Sequence, residues 1–218
     1  MEIIDFLFSL LKDPLTTLQN FLAYYDTLTY FILALIIFVE TGLIVMPLLP
    51  GDSLLFATGL LAASTGKLDI QVLIPLLIGA ALLGDNINYF VGKYFGNFVK
   101  AREQILFFKR EYITQTEEFY ARHGGKAVII ARFIPIVRTI APFVAGAGSM
   151  KYASYIIFCI IGGTLWVTSI LLAGYYLGSN EWVKQNFEKV VLGIVGFSVM
   201  PMLWQFVKIK LFKSSVKV

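Results

Sequence analysis

The sequence predicts an all-α, polytopic membrane protein with two re-entrant helical hairpins of opposite orientation, arranged as an inverted repeat. Of its 218 residues, 58% are hydrophobic and only 15% are charged. A soluble domain usually has about 25% charged residues, so the apolar excess is too large for one soluble core. Two apolar stretches, the first broken segment (38–59) and the second broken segment (129–148), contain prolines and charges that plain spanning helices avoid. Non-helical backbone is tolerated at membrane depth only where it is buried in protein or lines a water-filled cavity, which supplies its hydrogen-bond partners.

The first 27 residues predict an amphipathic helix that lies in the membrane interface. Apolar residues recur at helical spacing on both sides of Pro14, which interrupts the pattern. A helix packed against the protein's own spanning helices would show the same pattern. The sequence therefore leaves both placements open.

The rest of the chain divides into two repeats, a connection, a final span and a tail, all within one membrane domain. A spanning helix needs about 20 mostly apolar residues. Candidates are 28–39, which leads into the first broken segment, and 72–92, 152–177 and 190–207. The resulting division is 1–27 (interfacial helix), 28–96 (first repeat), 97–126 (amphipathic, helical connection in the cytoplasm), 127–178 (second repeat), 190–207 (final span) and 208–218 (basic tail).

Basic residues predict how the chain is oriented. They concentrate in and beside the connection and in the tail, and the positive-inside rule places both regions in the cytoplasm. An even number of crossings must then separate Lys126 from Lys208, and the spans 152–177 and 190–207 supply two. The second broken segment must therefore enter and leave on the cytoplasmic face. If the N-terminus is also cytoplasmic, the first broken segment is a hairpin that opens outward.

The two repeats also share short strings. Phe56-Ala-Thr-Gly59 is similar to Phe143-Val-Ala-Gly146 at an offset of 87 residues, and Gly92-Lys-Tyr-Phe-Gly96 is similar to Gly174-Tyr-Tyr-Leu-Gly178 at an offset of 82. The strings alone are weak evidence, because glycine and aromatic residues are common in membrane helices. Together with hairpins that open in opposite directions, they favour an inverted repeat, an architecture in which transporters place their site between broken helices.

Two acidic residues lie in the first broken segment. Glu40 sits in an apolar run and is a candidate for taking up and releasing a proton, with an ion pair to an arginine as its structural alternative. Asp52 follows Pro50 and Gly51, where a carboxylate also serves as a helix N-cap. Both are predicted to form the acidic part of a site.

Arg132 and Arg138 in the second broken segment are candidates for binding a phosphate. Arginine stays charged, and its planar fork binds phosphate or carboxylate through two hydrogen bonds. On an unbroken helix, side chains six residues apart would point about 120° apart, whereas a break at Pro135 lets them converge. Thr139 adds a hydroxyl donor. The structural alternative is two ion pairs with Glu40 and Asp52.

The remaining polar residues are weaker candidates. Asp85 and Asn88 in the second span are candidate cavity-lining residues, or they form hydrogen bonds between helices. The lone His123 fits a solvated loop better than a proton switch, Cys159 fits a small buried apolar residue, and Trp166 fits packing or an interface anchor. We find no nucleotide-binding loop, metal-ligand set or nucleophile motif, so no cofactor, metal ion or enzymatic activity is expected.

At these residues the chain resembles the DedA family, whose shared region is also called the VTT or SNARE-associated domain. The similarity covers roughly residues 30–180, and Lys93 stands where members often have arginine. The matching strings are Glu40-Thr-Gly-Leu, Pro47-Leu-Leu-Pro-Gly-Asp52, Gly84-Asp85-x3-Tyr89-x2-Gly92-Lys93-x2-Gly96, Phe119-x2-Arg122-His123-Gly124, Arg132-Phe-x-Pro135-x2-Arg138-Thr139-x2-Pro142-x2-Ala145-Gly146 and Gly162-Gly-x2-Trp166.

The resemblance implies a multi-pass protein of the bacterial cytoplasmic membrane that moves a polyprenyl phosphate, notably undecaprenyl phosphate, back across the membrane for envelope synthesis. It also implies that the residues matching Glu40, Asp52, Arg132 and Arg138 are the functional ones, and proton coupling is proposed for some members. The expected partners are the lipid and protons, with a homo-oligomer possible and no nucleic acid. Alternatives are a phospholipid scramblase, a proton- or ion-coupled exchanger of small solutes, a lipid phosphatase and a structural scaffold. If the protein is such a transporter, the charged side chains of Glu40, Asp52, Arg132 and Arg138 should meet within the membrane.

Overall fold

The computed structural model describes residues 12–42, 51–100, 124–178 and 180–186, together with positions 9, 104–105, 108–109, 122 and 189–190. Apart from one short β-ladder, the described elements are helices. They are α1 (Pro14–Tyr24), α2 (Asp26–Gly42), α3 (Gly51–Thr65), α4 (Ile70–Lys100), β1 (Gln104–Ile105), β2 (Phe108–Lys109), α5 (Lys126–Arg132), α6 (Pro135–Ala147), α7 (Tyr152–Leu177) and α8 (Glu181–Gln185). The described elements agree with the all-α fold class.

Some predictions fall outside the described residues. The tip of the first broken segment, with Pro47 and Pro50, is one of them. So are His123, nearly all of the final span 190–207, and the tail 208–218. These predictions stand as they were made.

The N-terminal segment contributes α1, which begins directly after Asp13. The Asp13 Oδ1 accepts a hydrogen bond from the backbone N–H of Thr16 at 3.0 Å, and Pro14 occupies the first helical position, where its missing N–H costs nothing. Leu18 and Leu22 are buried in a hydrophobic core shared with α2 and α3. The described part of this segment thus packs on the protein's own helices, the second of the two placements that the sequence left open.

Two long helices coincide with two of the predicted spans, 72–92 and 152–177. Segment Ile70–Asn97 of α4 and the whole of α7 are long and apolar enough to cross a membrane. Their outward surfaces are also apolar: Leu83 is 63% exposed and Leu165 is 50% exposed. Lipid solvates such surfaces without cost, so the helices fit a membrane protein.

The second broken segment is interrupted where the sequence predicted. Helix α5 ends at Arg132 and α6 begins at Pro135, while Ile134 between them is extended, with φ −111° and ψ 109°. A proline disfavours helical backbone in the residue before it, which explains the break. Arg132 therefore ends one helix, and Arg138 lies in the first turns of the next.

Close backbone packing joins α3 to α7 and α4 to α6. Gly59 of α3 lies against the carbonyl oxygen of Leu171, and Gly174 of α7 lies against the carbonyl oxygen of Phe56. In each case a Cβ atom would overlap the facing backbone, so only glycine permits the approach.

The second pair of helices repeats these contacts. Gly146 of α6 lies against the carbonyl oxygen of Tyr89, and Gly92 of α4 lies against the carbonyl oxygen of Phe143. These glycines and Phe143 belong to the strings that recur at offsets of 87 and 82 residues. The recurring strings thus form equivalent contacts in the two halves of the molecule.

Replacing Gly59 with alanine is expected to destabilise the protein by about 1–3 kcal/mol, because the new methyl group would force α3 and α7 apart. Gly79→Ala is the matched control. Gly79 also lies within a helix, but no described atom would come within 4 Å of its Cβ, so alanine should be neutral or stabilising by up to about 1 kcal/mol. Thermal unfolding in detergent micelles measures both effects. Equal stability of the two variants would contradict this account of the helix contact.

The connection differs from the amphipathic helix expected over 97–126. Helix α4 continues to Lys100, and the next described elements are β1 and β2, which pair antiparallel with Gln104 opposite Lys109 and Ile105 opposite Phe108. Ile105 and Phe108 are residues of high β-propensity, which favours extended backbone here over a helix. The helical expectation is therefore wrong at these four positions.

Candidate functional site

Five charged side chains are buried among the described residues, and none is more than 7% exposed: Glu40, Asp52, Asp85, Arg132 and Arg138. Removing an ion from water costs several kcal/mol, so buried charges are stable only when they are paired and hydrogen-bonded. All five meet this requirement through two groups of ion pairs, one centred on each arginine.

Arg138 of α6 binds two carboxylates. Its Nη2 donates to Glu40 Oε1 at 2.6 Å, and its Nη1 donates to Asp52 Oδ1. Glu40 comes from the end of α2 and Asp52 from the first turn of α3, so this guanidinium joins three helices. Gly51 makes the approach possible, because a Cβ at that position would overlap the Glu40 carboxylate.

Arg132 binds a different acid, Asp85 in the middle of α4. Its Nη1 lies 3.1 Å from Asp85 Oδ1, and its Nη2 donates to Oδ2, which makes the pair bidentate. Two residues of α7 complete the surroundings. The Cys159 Sγ lies 3.6 Å from Arg132 Nη2 and 3.4 Å from Asp85 Oδ2, and the Tyr155 hydroxyl donates to the Asp85 carbonyl oxygen at 3.0 Å.

Trp166 of α7 connects the two groups. Its Nε1 donates to Asp52 Oδ1 at 2.8 Å. Its ring centroid lies 4.6 Å from Arg138 Cζ and 5.7 Å from Arg132 Cζ, within the range of cation–π attraction. This role of Trp166 was not predicted from the sequence. A signal was available, because a buried indole N–H needs an acceptor and Asp52 is an intramembrane acid.

A small cavity lies between the two arginines. Its volume of about 10 Å³ is enough for roughly one water molecule. Arg132 and Arg138 both contribute to its lining, which is almost entirely apolar, so the cavity lies beside the two guanidinium groups. The structure is closed around this space, since a phosphate group is larger than one water and would need the walls to separate. The lining residues are Val128, Arg132, Arg138, Ala141, Pro142 and Cys159.

Asn88 and Thr139 lie beside the charges. The Asn88 Nδ2 donates to the backbone carbonyl oxygens of Thr41 at 3.3 Å and Thr139 at 2.7 Å. Asn88 thus forms hydrogen bonds between helices, one of the two roles that the sequence left open. Thr139 is buried next to Arg138. Neither Asn88 nor Asp85 lines the small cavity.

The structure therefore brings the four predicted charged residues into one region but divides them. Arg138 meets both Glu40 and Asp52, whereas Arg132 pairs with Asp85 rather than with either of those acids. The five side chains carry three carboxylates and two cations, one negative charge in excess when all are ionised. Within the described ranges, Glu40 Oε2 has no side-chain hydrogen-bond donor.

Removing the Asp85 carboxylate is expected to destabilise the fold, because it leaves the buried Arg132 charge unpaired. Asp85→Leu should cost about 3–5 kcal/mol, and Asp85→Leu combined with Arg132→Leu should recover most of that loss. Thermal unfolding of the two variants in detergent tests this. A double variant no more stable than the single one would show that the ion pair is not what holds these helices.

The fold and the buried charges define an integral membrane protein with an ionic site enclosed by short and long helices. The VTT-domain family model matches residues 49–176. The chain is 42% identical to protein DedA of Escherichia coli K12 over 202 residues, covering 92% of both chains. It is also 47% identical to an uncharacterized membrane protein of Mycobacterium leprae over 77% of this chain and 75% of that protein, and 36% identical to the inner membrane protein YqjA of E. coli K12 over 69% and 68%.

The chain belongs to the DedA family of VTT-domain membrane proteins. No solved structure matches it. The matched region contains Asp52, Asp85, Arg132, Arg138 and Trp166, while Glu40 lies just before it. The resemblance drawn from the sequence is thereby confirmed.

Proposed function

We propose that this protein moves a polyprenyl phosphate, most readily undecaprenyl phosphate, across the cytoplasmic membrane so that the carrier is reused in envelope synthesis. One observation carries the proposal: Arg132 and Arg138 line the same buried cavity, and each is held there by carboxylates. A phosphate offers the same oxygen geometry as those carboxylates and can replace them on the guanidinium forks.

The lipid tail needs no chamber inside the protein. The outward surfaces of α4 and α7 are apolar, with Leu83 and Leu165 exposed, so a prenyl chain stays in the surrounding hydrocarbon while its head group enters the site. Only the phosphate then has to be compensated by protein charges, which matches a site built from two arginines.

Proton coupling follows from the charge balance of the site. With one negative charge in excess, the fully ionised cluster repels an anion. Binding a phosphate therefore requires proton uptake by one of the acids. Glu40 is the residue we assign to this step, because its Oε2 has no side-chain donor among the described residues, while Arg138 binds the other oxygen, Oε1.

Two re-entrant hairpins in an inverted repeat are part of the proposal. Helices α3 and α6 have 15 and 13 residues, about 22 and 20 Å, and the hydrocarbon core is about 30 Å thick. Each is therefore too short to cross alone. The equivalent glycine contacts of Gly59 and Gly146 support a repeat. In this arrangement both termini lie in the cytoplasm.

Transport in reconstituted vesicles tests the proposal. Labelled undecaprenyl phosphate is placed in one leaflet, and its appearance in the other is followed with and without the protein. We expect movement of the phosphate lipid and none of undecaprenol, which lacks the phosphate. Equal movement of undecaprenol or of phosphatidylglycerol would indicate a general scramblase instead, and release of free phosphate would indicate an enzyme.

A further inference from the structure

We infer that Trp166 is a positioning residue of the anion site, which holds Asp52 and keeps both guanidinium groups close to its ring. This inference rests on the proposed function, because it assigns Trp166 a part in binding the phosphate. It goes beyond the four charged residues that the resemblance implies, and it assigns a role to a side chain that the sequence analysis interpreted as packing.

The contacts of Trp166 carry the argument. Its side chain is 1% exposed, so its N–H must find an acceptor within the protein, and that acceptor is Asp52 Oδ1 at 2.8 Å. The same Asp52 oxygen accepts from Arg138 Nη1. When a phosphate takes Arg138, Asp52 loses that donor but keeps the indole N–H. Trp166 thus gives the displaced carboxylate a partner while the anion is bound.

The ring itself has a second effect. Both guanidinium carbons lie within 6 Å of its centroid, at 4.6 and 5.7 Å. The negative π-face attracts both cations, which would otherwise repel each other, and it holds them beside one space. Gly163 lies about one turn before Trp166 in α7. A Cβ atom on Gly163 would be 3.4 Å from Arg132 Nη2, so the Arg132 guanidinium lies close to the backbone of α7.

The emission of Trp166 tests the inference directly, because indole fluorescence responds to charges near the ring. Replacing the other two tryptophans, by Trp182→Phe and Trp204→Phe, leaves Trp166 as the single emitter. We expect its emission maximum to shift when undecaprenyl phosphate is titrated into the protein in detergent, and to stay unchanged with undecaprenol. No shift with the phosphate lipid would overturn the inference, whether or not the same protein transports the lipid in vesicles.

A double-mutant cycle separates positioning from simple packing. Trp166→Phe keeps a ring but removes the N–H, and we expect about tenfold weaker binding of undecaprenyl phosphate, the usual effect of losing one hydrogen bond to a charged group. In the Asp52→Ala background the same change should cost less than about twofold, because no acceptor for the indole N–H remains at that position. Equal losses in both backgrounds would overturn the inference.

A matched control and the transport assay keep this inference distinct from the proposed function. Trp182 in α8 is 62% exposed, so Trp182→Phe should leave binding unchanged. If Trp166→Phe alone binds and transports like the parent protein, the inference fails and the proposed function stands. If the Trp182→Phe, Trp204→Phe protein binds the lipid with the expected emission shift but moves none of it, the proposed function fails and the inference stands.

Discussion

Replacing Arg138 with alanine is expected to reduce transport of undecaprenyl phosphate at least about 100-fold. The guanidinium is the only described cation that bridges α2, α3 and α6, and truncating one partner of a buried, hydrogen-bonded charge pair typically costs about 3–5 kcal/mol. The vesicle assay with labelled lipid measures the loss. Arg138→Lys keeps the charge without the fork, so it should retain part of the activity.

The alanine variant also leaves Glu40 and Asp52 unpaired, so its folding must be checked separately. A neutral variant, Arg138→Leu with Glu40→Gln and Asp52→Asn, removes all three charges together and is expected to fold better than Arg138→Ala. Gel filtration and thermal unfolding in detergent measure this. Wild-type transport by a folded Arg138→Ala protein would rule out the arginine as a phosphate ligand.

Replacing Glu40 with glutamine is expected to uncouple transport from the pH gradient. The amide cannot take up a proton, and the change removes the negative excess of the site, so phosphate binding should be retained or strengthened. The ratio of transport rates with and without an imposed pH gradient should therefore fall to unity. The measurement compares vesicles with equal and unequal internal and external pH.

Glu40→Asp is the matched control for that experiment, because it shortens the side chain but keeps a carboxyl group. It should remain sensitive to the gradient even if its rate is lower. A Glu40→Gln protein that still responds to the gradient like the parent would show that another group carries the proton, and Asp52 would be the next to test.

The sequence was sufficient for the two long apolar helices and for the helix break. Helices α4 and α7 could be predicted from long apolar runs, because such a run is recognised from local composition alone. The break before Pro135 was predictable for the same reason, since proline acts on its own neighbours. The β-ladder at Gln104–Ile105 was missed, because its local pattern also suits a helix.

The sequence predicted which charged residues form the site, but not which acid pairs with which arginine. Glu40, Asp52, Arg132 and Arg138 could be found because a charge in an apolar run is rare wherever it occurs. Which acid meets which arginine depends on how the helices pack. The break turns the two arginines toward different neighbours, so that Arg132 reaches Asp85 on α4. Trp166 was overlooked because its role depends on an acceptor 114 residues away in the chain.

The glycine contacts limit how the molecule can open. Backbone lies directly on backbone between α3 and α7, a pair that we call the first body, and between α4 and α6, the second body, so sliding within either pair would drive Cα atoms into carbonyl groups. The bond between Trp166 and Asp52 lies inside the first body, whereas the bond between Arg138 and Asp52 crosses from one body to the other. If one body moved against the other, we expect the arginine contact to break and the tryptophan contact to remain.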